Sequence, residues 1–216
     1  MILVPVKNLR NAKQRLAAVL DQSSRTQLAQ AMITDVLETL SSWTDRPEVV
    51  VVTTDGFVQE LARSLDFRLL ADDDRSETDA IEKATAYCSA KGAESTLVIP
   101  GDIPLIKVSE VATILQAAPQ RGSVLVPAAD GRGTNAAYRS PASLFPLRFG
   151  NDSFQPHLRA ARATGLPCAV LSLPGIALDI DNPSDLQELA AAEGERRSQK
   201  LARQWDLREY PLAANE

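Results

Sequence analysis

The sequence of 216 residues is poor in cysteine, histidine and long apolar runs. Its two cysteines, Cys88 and Cys168, lie far apart with no C-x-x-C pair, and its only histidine is His157. This composition argues against a disulfide framework and a structural zinc site, and it fits a reducing compartment. No apolar stretch approaches the roughly 20 residues that span a bilayer, and residues 1–6 are strand-like without the basic start of a signal peptide. We therefore expect a cytoplasmic protein with no membrane contact.

The sequence also lacks an excess of positive charge and the glycine-rich loops that commonly bind nucleotides. Lysine and arginine number 23 against 28 aspartate and glutamate residues, and the resulting net charge of -5 argues against a nucleic-acid partner. Neither a P-loop nor a G-x-G-x-x-G fingerprint is present. The segment before residue 26 differs from the rest, because it carries one acid, Asp21, against Lys7, Arg10, Lys13, Arg15 and Arg25. This basic segment predicts a site for a small anion.

Short apolar runs alternate with helical periodicity along the chain. Val49 to Val52 is β-branched throughout, as expected of a strand buried on both faces. The alternation predicts one α/β domain, Rossmann-like, with a mostly parallel central sheet and helices on both faces. We expect strands at residues 2–6, 49–52, 68–71, 97–99, 124–126, 134–139 and 169–173, and helices at 26–40, 80–90, 108–118 and after Asn182-Pro183. The domain is expected to span residues 1–193. Residues 194–216 are expected to form a charged C-terminal extension with a frayed or surface helix, and a partner-binding helix is the alternative.

Acidic residues follow two buried segments of the chain. Asp102 stands in Pro100-Gly101-Asp102-Ile103-Pro104, directly after a strand, and Asp179 and Asp181 are spaced to point the same way in an extended segment. Ligands of parallel sheets bind at the carboxyl ends of the strands, and Mg²⁺ prefers carboxylate oxygens. Carboxylates on one face repel each other unless a cation lies between them. These residues therefore predict a Mg²⁺ site, although Asp102 and Asp181 could each simply cap a helix.

Two segments, residues 131–136 and 148–154, combine glycine with hydroxyl and amide groups. Backbone N–H groups in such loops can cradle a phosphate or a carboxylate. Ser153 could merely open the helix that contains His157, and His157 is more typical of packing than of catalysis, so we do not assign it as a general base. In the basic segment, Lys13 as a point charge and Arg15 as a bidentate fork suit a triphosphate.

The ordered set of motifs resembles the CofC/FbiD family of guanylyltransferases, which act in coenzyme F420 biosynthesis. The resemblance covers nearly all of residues 1–193, and its motifs are residues 4–16, Pro100-Gly101-Asp102-Ile103-Pro104, Gly133-Thr134-Asn135, Phe149-Gly150 with Ser153-Phe154, and Asp179-Ile180-Asp181-Asn182-Pro183. It implies a nucleotidyltransferase fold and a reaction in which GTP and a small phosphorylated acid give a GMP-capped acid and pyrophosphate. The implied acid is 3-phospho-D-glycerate, 2-phospho-L-lactate or phosphoenolpyruvate.

The resemblance also implies roles for individual residues. The implied metal-binding acids are Asp102, Asp179 and Asp181. The phosphorylated acid is expected to bind at three positions in the glycine-containing segments, Thr134, Gly150 and Ser153. The expected catalytic residues are Lys13, Arg15 and Asp102. Contacts with the nucleotide are expected from Lys7, Lys13, Arg15, Asp55 and Gly101. A homodimer and the downstream enzyme of the pathway stay open as further partners.

The chain departs from many relatives at Glu77-Thr78-Asp79, where they carry Gly-Leu-Asn before the third helix. The departure affects either contacts with the base or the choice of acceptor. We take it as an indication of an unusual acceptor such as 3-phospho-D-glycerate, although Glu77 or Asp79 could also accept hydrogen bonds from guanine.

Two other functions compete with this one. A molybdopterin or sugar nucleotidyltransferase usually carries a Gly-Gly-rich loop after the first strand, where this chain has Pro5-Val6-Lys7. A catalytically inactive nucleotide-binding scaffold need not keep a metal site, whereas the three acids are intact here.

Overall fold

Seven strands form one sheet in the computed structural model, which describes residues 1–71, 76–150 and 152–205. The strands are β1 (Ile2–Val6), β2 (Val49–Thr53), β3 (Arg68–Leu70), β4 (Thr96–Val98), β5 (Gly122–Pro127), β6 (Thr134–Ser140) and β7 (Cys168–Val170). Their order across the sheet is β3-β2-β1-β4-β6-β5-β7. Only β6 among these strands runs antiparallel to its neighbours, β4 and β5. The prediction of a mostly parallel α/β sheet is confirmed.

Helices follow most of the strands. They are α1 (Gln22–Ser41), α2 (Gly56–Ser64), α3 (Glu77–Ala90), α4 (Val108–Ala117), α5 (Phe154–Ala163), α6 (Pro174–Ala177), α7 (Pro183–Ala191) and α8 (Arg197–Gln204), with 3-10 turns at Leu9–Asn11 and Gln14–Leu16. Helix α2 is absent from the sequence-based assignment. Within the described ranges, no helix has the length and apolar character needed to cross a membrane.

Two apolar cores lie on opposite faces of the sheet because successive strand residues point to opposite sides. Ile2 and Val4 of β1 pack in the core with α1, α4 and α7, whereas Leu3 packs in the other core with α3 and α5. Both faces are therefore covered by helices, which explains why β2 is a continuous run of β-branched residues. Both cysteines are free thiols.

The packed core extends past residue 193. Asp35 on α1 is buried, and its carboxylate accepts hydrogen bonds from the backbone N–H groups of Arg197 and Ser198 and from the Ser198 hydroxyl. Ala202 on the same helix is fully buried in the core. Helix α8 is therefore held by α1 as part of the domain, which differs from the expected surface helix in a separate extension.

The direction of β6 determines which residues meet at the functional edge of the sheet. The parallel strands β1, β2 and β4 all end at one edge, where Lys7, Asp55 and Asp102 follow them. Because β6 is antiparallel to β4, its first residue, Thr134, lies at that same edge. Residue Ile180 also lies at this edge, because its backbone N–H donates a hydrogen bond to the Asp102 carbonyl.

Candidate active site

Two cavities open at this edge and share one wall. The larger cleft has a volume of about 590 Å³ and lies beside Lys7, Lys13 and Gly101. The smaller pocket has a volume of about 330 Å³ and lies between Thr134, Ser153 and Asp179. Four residues line both cavities: Arg15, Pro100, Asp102 and Asp181. A ligand in the cleft and a ligand in the pocket would therefore meet across charged side chains.

Lys13 lies between two carboxylates of the shared wall. Its Nζ donates to Asp102 Oδ2 at 2.7 Å and to Asp181 Oδ1 at 2.9 Å. The backbone of Lys13 is left-handed, with φ 55° and ψ 47°, a conformation that costs a non-glycine residue roughly 1–3 kcal/mol and that marks functional sites more often than ordinary loops. The turn at Gln14–Leu16 begins at Lys13. The left-handed backbone turns the chain there, and the Lys13 ammonium group lies at the sheet edge.

The charges of the shared wall stabilise one another. Burial would lower the pKa of Lys13, but the two carboxylates raise it above its ordinary value, so the side chain carries a full positive charge. Burial would likewise raise the pKa of Asp181, yet Lys13, and then Arg15, whose Nη1 lies 3.2 Å from Asp181 Oδ2, bring it below its ordinary value. At neutral pH this wall therefore holds fixed charges of both signs.

Asp179 does not share the cation held by Asp102 and Asp181. Its Oδ1 accepts a hydrogen bond of 2.9 Å from Asn135 Nδ2 instead. Burial, and then the nearby negative charges of Asp102 and Asp181, raise the pKa of Asp179 to about 6. The described residues contain no cluster of three acidic or imidazole side chains close enough to hold one ion. Asp179 therefore lies beside the pair formed by Asp102 and Asp181, and its expected part in metal binding stays a prediction.

The two glycine-containing segments meet in the smaller pocket. The Thr134 N–H donates to Ser153 Oγ at 3.1 Å, and Gly150 lines the pocket with a positive φ of 137°, which favours glycine. At the pocket rim Arg132 and Asp152 form an exposed two-pronged ion pair. His157 lines neither cavity and packs beside Thr134 and Ser153, where burial, and then the charge of Arg139, lower its pKa to about 4.

The residues expected to contact the nucleotide divide into two groups. Lys7, Lys13, Arg15 and Gly101 line the larger cleft. A Cβ at Gly101 would lie 2.8 Å from Ile33 Cδ1, so a side chain there would require Ile33 to shift. Asp55 is placed differently, because its carboxylate accepts hydrogen bonds from the N–H groups of Leu9 and Val58 and caps α2. It lines neither cavity, and its expected contact with the nucleotide stays a prediction.

Residues 1–209 match the sequence family described as guanylyl transferase CofC like. The chain belongs to this family. Its relatives include the phosphoenolpyruvate guanylyltransferase of Rubrobacter xylanophilus, which is 37% identical over 193 residues, 89% of this chain and 94% of the relative. The 2-phospho-L-lactate guanylyltransferase of Methanothermobacter thermautotrophicus is 35% identical, with 87% of this chain and 82% of the relative covered. The 3-phospho-D-glycerate guanylyltransferase of Colwellia psychrerythraea is 31% identical, with coverages of 88% and 90%.

A solved structure has the same fold. A crystal structure of a proposed nucleotide-diphospho-sugar transferase from Desulfovibrio desulfuricans superimposes with a TM-score of 0.80 at 20% identity, covering 97% of this chain and 96% of the other. The CofC-like family and this shared fold confirm the resemblance inferred from the sequence and make the chain a nucleotidyltransferase.

Sequence reasoning missed two side chains that organise the candidate site, Asn135 and Asp185. Asn135 Nδ2 donates to the carbonyls of Ile176 and Ala177 as well as to Asp179. Asp185 accepts from the N–H groups of Asp181 and Asn182 and fixes the turn before α7. His157 joins the two segments of the smaller pocket. Asn135 and Asp185 both stand in or next to a quoted motif, which was the available signal.

The departure at residues 77–79 lies near the larger cleft. These residues begin α3, where the Ser76 side chain accepts a hydrogen bond from the Asp79 N–H, and the side chain of Glu77 lies outside the described part of the structure. Ala80, one residue further on, lines the larger cleft. No described residue of α3 lines the smaller pocket. The position of the departure therefore favours an effect on the ligand of the larger cleft.

Proposed function

We propose that the protein transfers the guanylyl group of GTP to the phosphate of a small phosphorylated carboxylic acid in coenzyme F420 biosynthesis. A phosphate oxygen of the acid attacks the α-phosphorus, the bond from that phosphorus to the bridging oxygen of the β-phosphate breaks, and pyrophosphate leaves. The observation that carries the proposal is the shared wall of Arg15, Pro100, Asp102 and Asp181 between two cavities of unequal size. It supports a transfer between two ligands that meet at that wall.

The larger cleft is assigned to GTP. Lys7, Lys13 and Arg15 supply positive charge in the cleft, and a side chain at Gly101 would have to displace the Ile33 side chain of α1. Phosphoryl-type transfers depend mainly on positioning and on neutralisation of charge. In this proposal Lys13 and Arg15 stabilise the charge that develops on the departing pyrophosphate.

A divalent ion fits the shared wall by the chemistry of its donors. Asp102 Oδ2 and Asp181 Oδ1 already converge on one cation, the Lys13 ammonium group, at hydrogen-bond distance. Mg²⁺ commonly uses one or two carboxylates and takes its other ligands from water and substrate phosphates. Asp102 and Asp181 would hold the ion, with Asp179 beside them, and the bound ion would neutralise charge on the reacting phosphates.

The smaller pocket is assigned to the phosphorylated acid. Thr134, Gly150 and Ser153 line it, and their hydroxyl and backbone groups suit carboxylate and phosphate oxygens. The acceptor phosphate is ionised at neutral pH, so the reaction needs no strong general base. His157 agrees with this, because a pKa of about 4 makes its buried imidazole a weak base and the ring lines neither cavity.

Measurement of pyrophosphate release tests the proposal. GTP is supplied with phosphoenolpyruvate, 2-phospho-L-lactate or 3-phospho-D-glycerate separately, and each reaction is repeated with ATP. We expect release with at least one acid, and a preference for GTP in kcat/KM of at least about a hundredfold, because a site built to hydrogen-bond one base leaves its polar groups unpaired with another. No release with any of the acids would contradict the transfer. Equal rates with ATP and GTP would contradict the guanylyl specificity alone.

A further inference from the structure

The single histidine lies directly behind the smaller pocket and contacts both of its walls. His157 is buried on α5, one turn after Ser153. Its Nδ1 lies 2.9 Å from Thr134 Oγ1 on β6, and its Nε2 lies 2.8 Å from the backbone nitrogen of Arg148 in the segment before α5. A buried ring with a partner at each nitrogen is an unusually well-defined hydrogen-bonding group.

The two contacts determine where the ring carries its proton. The Arg148 backbone N–H can only donate, so His157 Nε2 must accept and carries no hydrogen. Burial, and then the charge of Arg139, lower the pKa of the ring to about 4, so it is neutral at physiological pH and its one N–H is at Nδ1. Nδ1 therefore donates to the Thr134 hydroxyl oxygen.

The direction of that bond affects both hydroxyl groups of the pocket. Thr134 Oγ1 receives the His157 proton, and Ser153 Oγ receives the Thr134 backbone N–H at 3.1 Å. Each hydroxyl oxygen thus already accepts one hydrogen bond and keeps its own proton. The Ser153 hydroxyl can donate only a long hydrogen bond to Thr134 Oγ1, at 3.4 Å against the usual separation of about 2.7–2.8 Å for a hydroxyl pair. The Thr134 proton is available to a ligand that can accept it.

We propose that His157 is a positioning residue that makes the Thr134 hydroxyl a hydrogen-bond donor toward the carboxylate or phosphate of the acid. Carboxylate and phosphate oxygens accept hydrogen bonds, so a pocket whose Thr134 hydroxyl has a proton left to donate suits an anion and disfavours a ligand that only donates. The inference rests on the proposed function for the identity of the ligand. It adds a residue that touches neither substrate and acts through Thr134.

The tautomer can be measured directly because the chain has one histidine. In untagged, ¹⁵N-labelled protein, long-range ¹H–¹⁵N spectra of the imidazole report which nitrogen is protonated. We expect a neutral ring with hydrogen on Nδ1, and a change at Nδ1 when any of the three acids is added, alone or with GTP in the absence of divalent ions. A hydrogen on Nε2, or resonances that respond to none of the acids, would overturn the inference whether or not guanylyl transfer is detected.

Two substitutions separate the two contacts. The amide of His157→Asn lies near the position of Nδ1 and retains a donor for Thr134, whereas the amide of His157→Gln lies near the position of Nε2 and retains an acceptor for the Arg148 N–H. We expect His157→Gln to weaken binding of the acid about tenfold, the typical effect of one lost hydrogen bond, and His157→Asn to weaken it less than about threefold. The affinity for GTP should stay within about twofold in both variants.

The matched control is Ser198→Ala, which removes a fully buried hydroxyl that donates to Asp35, away from both cavities. It reports what a loss of stability alone does to acid binding, and we expect no change. Equal weakening by His157→Asn and His157→Gln, or unchanged acid binding in His157→Gln, would overturn the inference. If the wild type binds an acid and transfers nothing to it, but only His157→Gln weakens that binding, the inference stands and the proposed transfer fails.

Discussion

Asp181 pairs with two cations, Lys13 and Arg15, through different carboxylate oxygens. Asp181→Asn preserves the shape of the side chain but removes a charge from Lys13 and a hard oxygen ligand from the proposed metal site. We expect kcat/KM for pyrophosphate release to fall at least about a hundredfold while the circular-dichroism spectrum is unchanged. Glu195→Gln is the control, because Glu195 pairs with Arg203 on the exposed surface and its loss should change activity less than about twofold. Near-wild-type activity of Asp181→Asn would remove Asp181 from the metal site.

His157 also makes stability depend on pH. Its folded pKa of about 4 lies below the ordinary value of 6.5, so between these values the unfolded chain binds a proton that the folded chain does not. Stability therefore falls as pH falls through this window. The unfolding free energy should drop about 2 kcal/mol more in the wild type than in His157→Gln between pH 7 and pH 5.

Urea titrations of both proteins at the two pH values measure this difference, since other titrating groups are common to the pair. Equal losses of stability in the two proteins would show that the folded histidine titrates normally.

At the scale of single residues, the sequence could predict only part of the site. An acid directly after a strand predicted the position of Asp102, because the end of a buried strand is a fixed point of the fold. Asp55 satisfies the same pattern and caps a helix, and the pattern contains nothing that separates the two uses. The place of Lys13 between two carboxylates depends on a left-handed backbone and on residues 89 and 168 positions away, which no local pattern encodes.

Helix α8 depends on one buried carboxylate of α1. Asp35→Ala removes the three hydrogen bonds that Asp35 accepts at the start of α8 and leaves buried donors unpaired. The unfolding free energy measured in urea should fall by about 2 kcal/mol or more. Glu38→Gln is the matched control on the same two helices, since Glu38 forms an exposed pair with Arg197 and its loss should cost less than about 1 kcal/mol. If the two variants lose the same stability, Asp35 does not anchor α8.

The strands and helices with local sequence signals could be predicted, and those that depend on distant residues could not. All seven strands were found, because β-branched runs such as Val49 to Val52 mark buried strands without reference to the rest of the chain. Helix α2 was missed although Asp55 and the spacing of Val58 and Ala62 fit a capped amphipathic helix. The burial of α8 could not be predicted, because its charged sequence is typical of a surface and its partner Asp35 lies more than 160 positions earlier.

At the scale of the whole molecule, Lys13 is the counter-ion of two carboxylates that come from distant parts of the chain. Asp102 and Asp181 are held at one point by an ammonium group of the protein itself, so the fold does not need a metal to neutralise them. We expect a chelator to abolish pyrophosphate release and to leave the melting temperature of the wild type unchanged. In Lys13→Met the two carboxylates lose their cation, so the protein should melt lower, and added Mg²⁺ should raise its melting temperature.

Calorimetry with and without chelator measures the melting temperatures of both proteins. If the chelator lowers the melting temperature of the wild type, Lys13 is not a sufficient counter-ion. Under the proposed function, the Lys13 ammonium group would let the chain fold without magnesium. A divalent ion that binds Asp102 and Asp181 afterwards would have to displace Lys13. Occupancy of the site is then set by what can draw that lysine away, and a triphosphate, with more negative charge than either aspartate, is suited to do so.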